Sequence, residues 1–343
     1  MSKVLAVRLD SDGDVLLTGP ALRALAAHNE QVDVLVSPAG VAAAHLLPGV
    51  HEVLVYAAPW SGYLPPPLDP EATQLLVREL AKRHYDLAVV FTSFHQSPLP
   101  MALLARLAGI PRVAATSADY PGSLLDLRHR RTGGHEVEAA LDLAAAVGAK
   151  LPTDDAGRLA VRRPLSPVNH LLPGGEFVVV HPGASVPARA PAPEHAAWIV
   201  SGLLAEGWNV VVTGSPSEVE LAEQVAVPGA GTLAGRTTLA ELAAVLSHAA
   251  CVVVGNTGPA HLAAAVGTPV VSLFSPVVSA QRWAPYGVPM VLLGDQQAPC
   301  RDTRARDCPV PGHPCLGVIT PAAVTAAVAS LVGTPAPALV RGA

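Results

Sequence analysis

The sequence predicts an α/β protein of two domains, each built on a parallel sheet covered by helices on both faces. Short apolar runs alternate with helix-like stretches, which is typical of parallel strands joined by crossover helices. The chain has 343 residues, enough for two domains of about 100–200 residues each. A stretch rich in Pro and Gly at 162–175 interrupts the alternation near its middle. Right-handed crossovers then make each sheet doubly wound.

The first domain is assigned to residues 1–165 from a series of short apolar runs. A helix is predicted over Val15–Ala27, directly after the first run, and helix-like stretches separate several of the others. Runs of this length, bounded by turn residues, fit buried parallel strands. The predicted strands are Val4–Leu9, Val32–Val36, Val53–Val55, Leu87–Phe91 and Val113–Ala115.

The pattern restarts after a linker at 166–175, which places the second domain at 176–333 and leaves a tail at 334–343. The predicted strands are Phe177–Val180, Asn209–Thr213, Cys251–Val254 and Val270–Phe274. The predicted helices are Glu194–Glu206, Pro216–Val225, Leu239–His248, Ala260–Val266 and Pro321–Leu331. The two halves therefore share an architectural pattern.

Charge and composition exclude several functional classes. The formal net charge is −5 with no polybasic stretch, which argues against nucleic acid as a partner. Four cysteines are too few for a secreted disulfide scaffold. The N-terminus lacks the apolar core of a signal peptide. The uncharged stretch 242–281 is broken by polar residues and prolines, so it does not fit a bilayer span. We expect a cytoplasmic protein that is not integral to a membrane.

Three carboxylates follow the first predicted strand, where ligands bind in doubly wound sheets. They are Asp10, Asp12 and Asp14, and Gly13 permits a tight turn among them. Helix N-capping, for which Asp is a preferred residue, accounts for one of the three. Mutual repulsion of several carboxylates raises the pKa of at least one. The turn is therefore a candidate for an active-site carboxylate, with N-capping alone as the alternative.

The turn after the first strand of the second domain, His181–Arg189, has the composition of a diphosphate-binding loop. Gly183 and Ala184 are small enough for a diphosphate to approach the backbone. Ser185 offers a hydroxyl, and Arg189 offers a guanidinium that can bind phosphate with two hydrogen bonds. A plain surface loop is the alternative.

A third turn, Asn256–Leu262, follows the apolar run that ends at Val254. Pro259 suits the first position of a helix, and the amides of Thr257 and Gly258 would then lie at a helix N-terminus, which attracts anions. His261 falls in the first helical turn, either beside a ligand or as a structural histidine.

Two further clusters are candidates outside these turns. One loop contains Cys300, Cys308, His313 and Cys315. Three thiols and an imidazole can hold a metal, and a redox-dependent disulfide or free thiols are the alternatives. A second loop contains Arg128, Arg130 and Arg131, which either attract an anionic acceptor or are simply solvated.

Several enzyme classes lack their motifs in this sequence. There is no P-loop, no Gly-rich dinucleotide fingerprint after Val4–Leu9, no G-x-S-x-G elbow and no HExxH. A P-loop nucleotidase, a dinucleotide oxidoreductase and an α/β-hydrolase are therefore disfavoured.

The three turns, in this order, resemble glycosyltransferase family 9, the group of the ADP-heptose:lipopolysaccharide heptosyltransferases. The motifs that carry the resemblance are Arg8–Pro20, His181–Ser185 and Asn256–Leu262, and Gly235–Leu242 and His135–Val137 are similar to further family segments. The resemblance spans roughly residues 3–333.

The resemblance implies a GT-B fold, with two Rossmann-like doubly wound domains facing across a cleft. It places the acceptor in the N-terminal domain and a nucleotide-diphosphate sugar, most simply ADP-heptose, in the C-terminal one. The implied reaction is inverting and needs neither a metal nor another cofactor. The acceptor could be a glycan, a lipid-linked molecule or a small molecule.

The resemblance also implies roles for individual residues. Asp14 matches the general base. Beside this match, Asp12, Gly13, Arg130 and Arg131 are our own candidates for the acceptor side and its loops. Arg189 matches a cation that binds the donor diphosphate. The other implied donor-binding residues are Ala184, Ser185, Asn256, Thr257, Gly258 and His261.

Two other functions stay open at this point. One is a catalytically silent GT-B-like protein that binds a nucleotide sugar without turnover. The other is a nucleotide-sugar epimerase of similar build. Asp14 favours the transferase, because a binding protein needs no base.

Overall fold

The computed structural model describes residues 2–62, 65–93 and 95–335. The chain divides into two compact units, Met1–Arg162 and Arg163–Ala343. The division falls inside the Pro/Gly-rich stretch at 162–175. Of the expected tail, residues 336–343 lie outside the described part. Within the described part, every helix is too short or too polar to cross a membrane.

The first unit alternates strands and helices along its length. Its strands are β1 (Lys3–Arg8), β2 (Gln31–Val36), β3 (Val53–Val55), β4 (Leu87–Val90), β5 (Arg112–Thr116) and β6 (Leu127–His129). Its helices are α1 (Asp12–His28), α2 (Val41–Leu46), α3 (Pro70–Arg83), α4 (Leu99–Leu107) and α5 (Glu136–Ala146).

The second unit repeats the alternation. Its strands are β7 (Phe177–His181), β8 (Asn209–Val212), β9 (Gly231–Thr232), β10 (Cys251–Gly255), β11 (Val270–Leu273) and β12 (Met290–Leu293). Its helices are α6 (Pro193–Ala205), α7 (Val219–Val225), α8 (Leu239–His248), α9 (Gly258–Val266), α10 (Ala280–Trp283), α11 (Pro314–Gly317) and α12 (Pro321–Val332).

Both sheets have the same topology. The first has the order β3-β2-β1-β4-β5-β6, and the second has β12-β11-β10-β7-β8-β9. Every strand pair is parallel. In each unit the order, counted from its own first strand, is therefore 3-2-1-4-5-6, the Rossmann arrangement. The predicted doubly wound α/β fold is confirmed.

The central strands are buried apolar runs, as the sequence pattern indicated. Val4–Val7 of β1 and Val252–Val254 of β10 are almost fully buried. Such runs suit strands that are covered on both faces. The sequence pattern missed β6, β9 and β12, which are short or only partly buried.

Candidate active site

In each sheet, one pair of neighbouring strands marks the point where the strand order reverses. In the first unit this pair is β1 and β4, and in the second it is β7 and β10. Ligands of doubly wound folds bind beyond the carboxyl ends of the strands at this point. The candidate residues of each unit lie in the loops that follow these strands.

Arg8, the last residue of β1, is at the centre of the first cluster. Its Nη2 donates to Asp14 Oδ1 at 2.8 Å and to Ser93 Oγ at 2.9 Å. Its Nε lies 2.8 Å from Asp10 Oδ2. The Arg8 side chain is 4% exposed. One buried guanidinium therefore contacts two carboxylates from the turn that opens α1.

The three carboxylates of this turn have different partners, and none of them caps α1. The N-cap of α1 is Ser11, whose side chain makes no capping hydrogen bond. Asp12 Oδ1 accepts from the amide of Ala43, in the first turn of α2, at 2.9 Å. Asp14 is 23% exposed at its side chain and accepts from Ser11 Oγ. The structure thus leaves Asp14 accessible, whereas Asp12 is used to anchor α2.

Asp10 is held more deeply than Asp14. Gln96 Nε2 donates to its Oδ1 at 2.5 Å, and its side chain is 9% exposed. Ser37 Oγ also donates to its backbone carbonyl at 2.7 Å. Gln96 follows β4, so Asp10 links the ends of the two strands where the order reverses.

The electrostatics of the cluster follow from burial and from neighbouring charge. Burial raises the pKa of Asp10. The charge of Arg8 and the hydrogen bond from the Gln96 amide oppose this rise, whereas the charge of Asp14 adds to it. Burial likewise raises the pKa of Asp12, against the hydrogen bond from Ala43. For Arg8, burial alone would lower the pKa, but Asp10 and Asp14 raise it, so Arg8 remains a cation.

The remaining candidate residues of the first unit, Arg130, Arg131 and Gly13, have different surroundings. Arg131 forms two hydrogen bonds, of 2.6 and 2.7 Å, with the buried carboxylate of Glu136. Its charge is therefore already balanced inside the protein. Arg130 is exposed. Gly13 lies within the first turn of α1, so the expected tight turn at this glycine is wrong: the helix begins at Asp12.

In the second unit, β7 ends at His181, a buried residue with a neutral side chain. His181 Nδ1 lies 3.0 Å from Thr213 Oγ1, and its Nε2 lies 3.8 Å from Glu218 Oε2. Burial lowers the pKa of His181, and Glu218 only partly opposes this. Gly183 packs against the carboxylate of Glu218, so a Cβ atom on Gly183 would require the Glu218 side chain to move.

The turn that carries Arg189 packs directly on the end of β10. Residues Pro187–Arg189 form a short 3-10 turn. A Cβ atom on Gly255 would lie 2.6 Å from the Arg189 carbonyl oxygen, so only glycine fits. Val254 is also in register with His181. The structure therefore brings together the two turns that the sequence suggested as a donor site. Ala184 is partly exposed in the first turn, and Ser185 is exposed.

The second of these turns leads into the N-terminus of α9. Thr257 is the N-cap and makes no side-chain capping bond, and Pro259 occupies the first helical turn. The first amides of a helix have no partner within the helix and attract anions. Asn256 is 4% exposed, and its Nδ2 has no hydrogen-bond partner among the described residues. His261, in the first turn of α9, is buried.

The loop that contains the cysteines contacts the Arg189 turn through hydrogen bonds at Ala188. The amide of Ala188 donates to the Arg306 carbonyl at 2.9 Å, and the Ala188 carbonyl lies 3.2 Å from His313 Nε2. Cys300 and Cys315 are buried free thiols, and Cys308 is a partly buried one. Burial raises the pKa of the Cys315 thiol to about 11. The loop therefore has a structural link to the candidate donor site.

The described residues do not gather these cysteines and His313 as a metal site. Only Asp33, His51 and Glu52 present three candidate ligand atoms within 4.8 Å of one another among the described residues. Their carboxylates already have partners: Tyr85 donates to Asp33, and Arg83 pairs with Glu52. Asp33 lies inside β2, and His51 and Glu52 immediately precede β3, whereas Arg8 lies at the carboxyl end of β1.

Sequence reasoning missed several residues of these clusters. Ser93 lies 85 residues from Arg8 and Gln96 lies 86 residues from Asp10 in the chain, and Glu218 lies outside the His181–Arg189 turn. Asp10 was visible as one of three carboxylates, and Arg8 as the residue before them. The contact between Arg8 and Asp10 is held by Ser93 and Gln96 from the loop after β4, and this loop has no recognisable sequence motif.

Comparison with known proteins identifies the family. The model of glycosyltransferase family 9 (heptosyltransferase) matches residues 74–313, more than half of the chain. The Escherichia coli lipopolysaccharide heptosyltransferase 3 is 31% identical over 212 residues, which cover 58% of this chain and 61% of that protein. The Pseudomonas aeruginosa lipopolysaccharide heptosyltransferase 1 is 32% identical over 329 residues, covering 89% of this chain and 87% of that protein.

Solved structures agree on the fold. A family 9 glycosyltransferase from Veillonella parvula superimposes with a TM-score of 0.76 at 17% identity, over 96% of this chain and 97% of that one. The E. coli ADP-heptose heptosyltransferase II gives 0.71 at 23% identity, over 96% and 98%. The two-domain α/β fold is thus the one of these heptosyltransferase structures. The chain belongs to glycosyltransferase family 9.

Proposed function

We propose that this protein is an inverting, metal-independent glycosyltransferase that moves a heptose or related sugar from a nucleotide diphosphate to an acceptor hydroxyl. The observation that carries the proposal is Asp14, a partly exposed carboxylate held by a buried guanidinium at the end of β1. A base must be accessible to the acceptor and fixed in direction, and both conditions are met. Family membership supports the same reaction class.

The first half of the mechanism uses Asp14. Its carboxylate accepts the proton of the acceptor hydroxyl as the oxygen attacks the anomeric carbon. The bond from that carbon to the diphosphate oxygen breaks on the opposite face, so the configuration inverts. One base is enough for a single in-line displacement, and such a base contributes about 10²–10⁴-fold to the rate. Arg8 and Ser11 fix the direction of the carboxylate.

The second half of the mechanism stabilises the leaving diphosphate. Arg189 supplies a permanent cation, and the amides at the N-terminus of α9 supply hydrogen bonds. Asn256 adds a buried amide donor beside them. These groups together do the work that a divalent metal does in metal-dependent transferases. On this account, activity persists in excess EDTA. Loss of activity in EDTA that magnesium or manganese restores would contradict metal independence.

ADP-heptose is the first donor to test. Relatives of this chain are named lipopolysaccharide heptosyltransferases, and a solved relative contains ADP-2-deoxy-2-fluoro heptose. The acceptor class stays open among glycans, lipid-linked molecules and small alcohols. Arg131 is paired with Glu136, so it offers little net charge to an anionic acceptor.

The experiment is a transfer assay with two readouts. The protein is incubated with ADP-, GDP-, UDP- and dTDP-sugars and a panel of acceptors. Release of nucleoside diphosphate is followed, and the masses of the products are measured by mass spectrometry. The proposal predicts diphosphate release together with an acceptor that gains one sugar. Tight donor binding with no release from any donor would favour a silent binding protein. A donor that changes configuration without transfer would favour an epimerase.

A further inference from the structure

The Arg8 cluster contains more negative charge than one base requires. Arg8 lies between two carboxylates, with Asp14 Oδ1 at 2.8 Å from Nη2 and Asp10 Oδ2 at 2.8 Å from Nε. Asp14 is partly exposed, whereas Asp10 is 9% exposed at its side chain. A buried carboxylate is costly unless it has a use or a partner. Asp10 has partners in Arg8 and Gln96, but the proposed reaction assigns it no role.

The surroundings of Asp10 keep it in contact with Arg8. Gln96 Nε2 donates to Asp10 Oδ1 at 2.5 Å, and the Gln96 side-chain carbonyl accepts from the amide of Ser93 at 3.0 Å. Ser93 Oγ in turn accepts from Arg8. The carboxylate of Asp10 is therefore fixed on one side by Gln96 and on the other by Arg8.

The other charged groups near the cluster are already balanced or lie elsewhere. Glu136 on α5 contributes to the field at Arg8 and Asp10, but Arg131 neutralises it through two hydrogen bonds. Asp12 bonds to the amide of Ala43. The balance of charge at Asp14 thus depends on how Arg8 is divided between Asp14 and Asp10.

We propose that Asp10 is a positioning residue that shares the charge of Arg8 and thereby keeps Asp14 basic enough to take a proton from the acceptor. The inference rests on the proposed function, in which Asp14 is the base. When Asp10 is ionised, it offsets the guanidinium, and Asp14 binds a proton more tightly. When Asp10 is neutral or replaced, the whole charge of Arg8 acts on Asp14, which becomes a weaker base.

Arg8 joins the carboxylates of Asp10 and Asp14 at 2.8 Å on each side, so we expect protonation of one to affect the other. Their coupling gives the cluster a pH dependence that a lone Arg–Asp pair would not have. The acid limb of the rate profile reports the state of both groups.

The first test is direct titration of Asp14 by NMR of protein labelled with ¹³C at aspartate carboxyls, with Asp14→Asn identifying the signal. In Asp10→Asn, we expect the Asp14 midpoint to move to lower pH by about one unit, a tenfold change in proton affinity. Asp155→Asn is the matched control, because it breaks another Arg–Asp contact on α1, at Arg23. It leaves the Asp14 midpoint in place.

A second variant keeps the test valid if Asp10→Asn fails to fold. Gln96→Met removes the hydrogen bond that favours ionised Asp10, so Asp10 stays neutral to higher pH and Arg8 acts more fully on Asp14. The Asp14 midpoint then moves in the same direction by a smaller amount. An unchanged midpoint in the folded variants, with only lower melting temperatures, would overturn the inference and leave Asp10 a structural residue.

The rate profile adds a readout that separates this inference from the proposed function. With the donor and acceptor from the transfer assay, the acid limb of kcat/KM moves with the Asp14 midpoint in Asp10→Asn. The plateau kcat falls several-fold, and KM for the donor is unchanged. A midpoint that moves without any change in the rate profile would support the coupling and contradict Asp14 as the base.

Discussion

Gly255→Ala is the substitution whose effect follows most directly from the geometry of the second unit. The new Cβ atom would lie 2.6 Å from the Arg189 carbonyl, about 0.8 Å inside the 3.4 Å at which ordinary contact begins. The Arg189 turn has little freedom to retreat, because Ala188 is held at both its amide and its carbonyl. Overpacking of this kind costs about 1–3 kcal/mol.

The predicted consequence is weaker binding of nucleoside diphosphate. A displaced Arg189 loses a charge-assisted contact of about 1.5–3 kcal/mol, which corresponds to roughly a 10- to 150-fold rise in Kd. Calorimetry with ADP, or the diphosphate found in the transfer assay, measures this, and urea unfolding measures the packing cost. The nucleoside without its diphosphate binds both proteins alike.

Gly174→Ala is the matched control, because a Cβ atom there meets nothing within 4 Å. It leaves both ADP affinity and stability unchanged. If Gly255→Ala binds ADP as tightly as the parent protein and unfolds at the same urea concentration, the packing of the Arg189 turn on β10 is not what positions the cation.

Two further predictions concern Arg189 and the Arg23–Asp155 pair. Arg189→Ala weakens ADP binding by roughly 10- to 150-fold while leaving the nucleoside unaffected, and equal losses for both ligands in calorimetry would exclude a phosphate contact. Hydrogen bonding from Arg23 lowers the pKa of Asp155. The Arg23–Asp155 pair therefore stabilises the fold at neutral pH, and this stabilisation is lost as the pH falls through the folded-state pKa of Asp155. Asp155→Asn therefore lowers the free energy of unfolding at pH 7 by about 1 kcal/mol, and the difference vanishes in acid; a difference that persists at low pH would contradict the ion pair.

The fold could be predicted from the sequence because buried parallel strands and their helices leave strong local patterns. Val53–Val55 and Leu239–His248 have the predicted bounds. Strands such as Leu127–His129 and Gly231–Thr232 could not be found, because they lack an apolar run of the kind that marks the equally short Val53–Val55. Their pairing depends on a sheet that is already formed beside them.

The candidate site could be predicted only in part. The turns after β1, β7 and β10 stood out by their residue types, and the structure joins the latter two through Gly255. The separate uses of Asp10 and Asp12 could not be foreseen, because they depend on Gln96 and Ala43. The cysteines looked like ligands because they are close in sequence; Cys300 and Cys315 do lie together as buried free thiols, but the described residues do not bring three ligand atoms of this loop within 4.8 Å of one another.

The measurement that tests the central claim most directly is kcat for Asp14→Asn, with the donor and acceptor from the transfer assay. Asparagine keeps an oxygen to accept from Arg8, so the melting temperature and the affinity for nucleoside diphosphate should match those of the parent protein. The account predicts that kcat falls by about 10²–10⁴-fold, the contribution of a general base. A kcat within a few-fold of the parent value in the folded variant would contradict it.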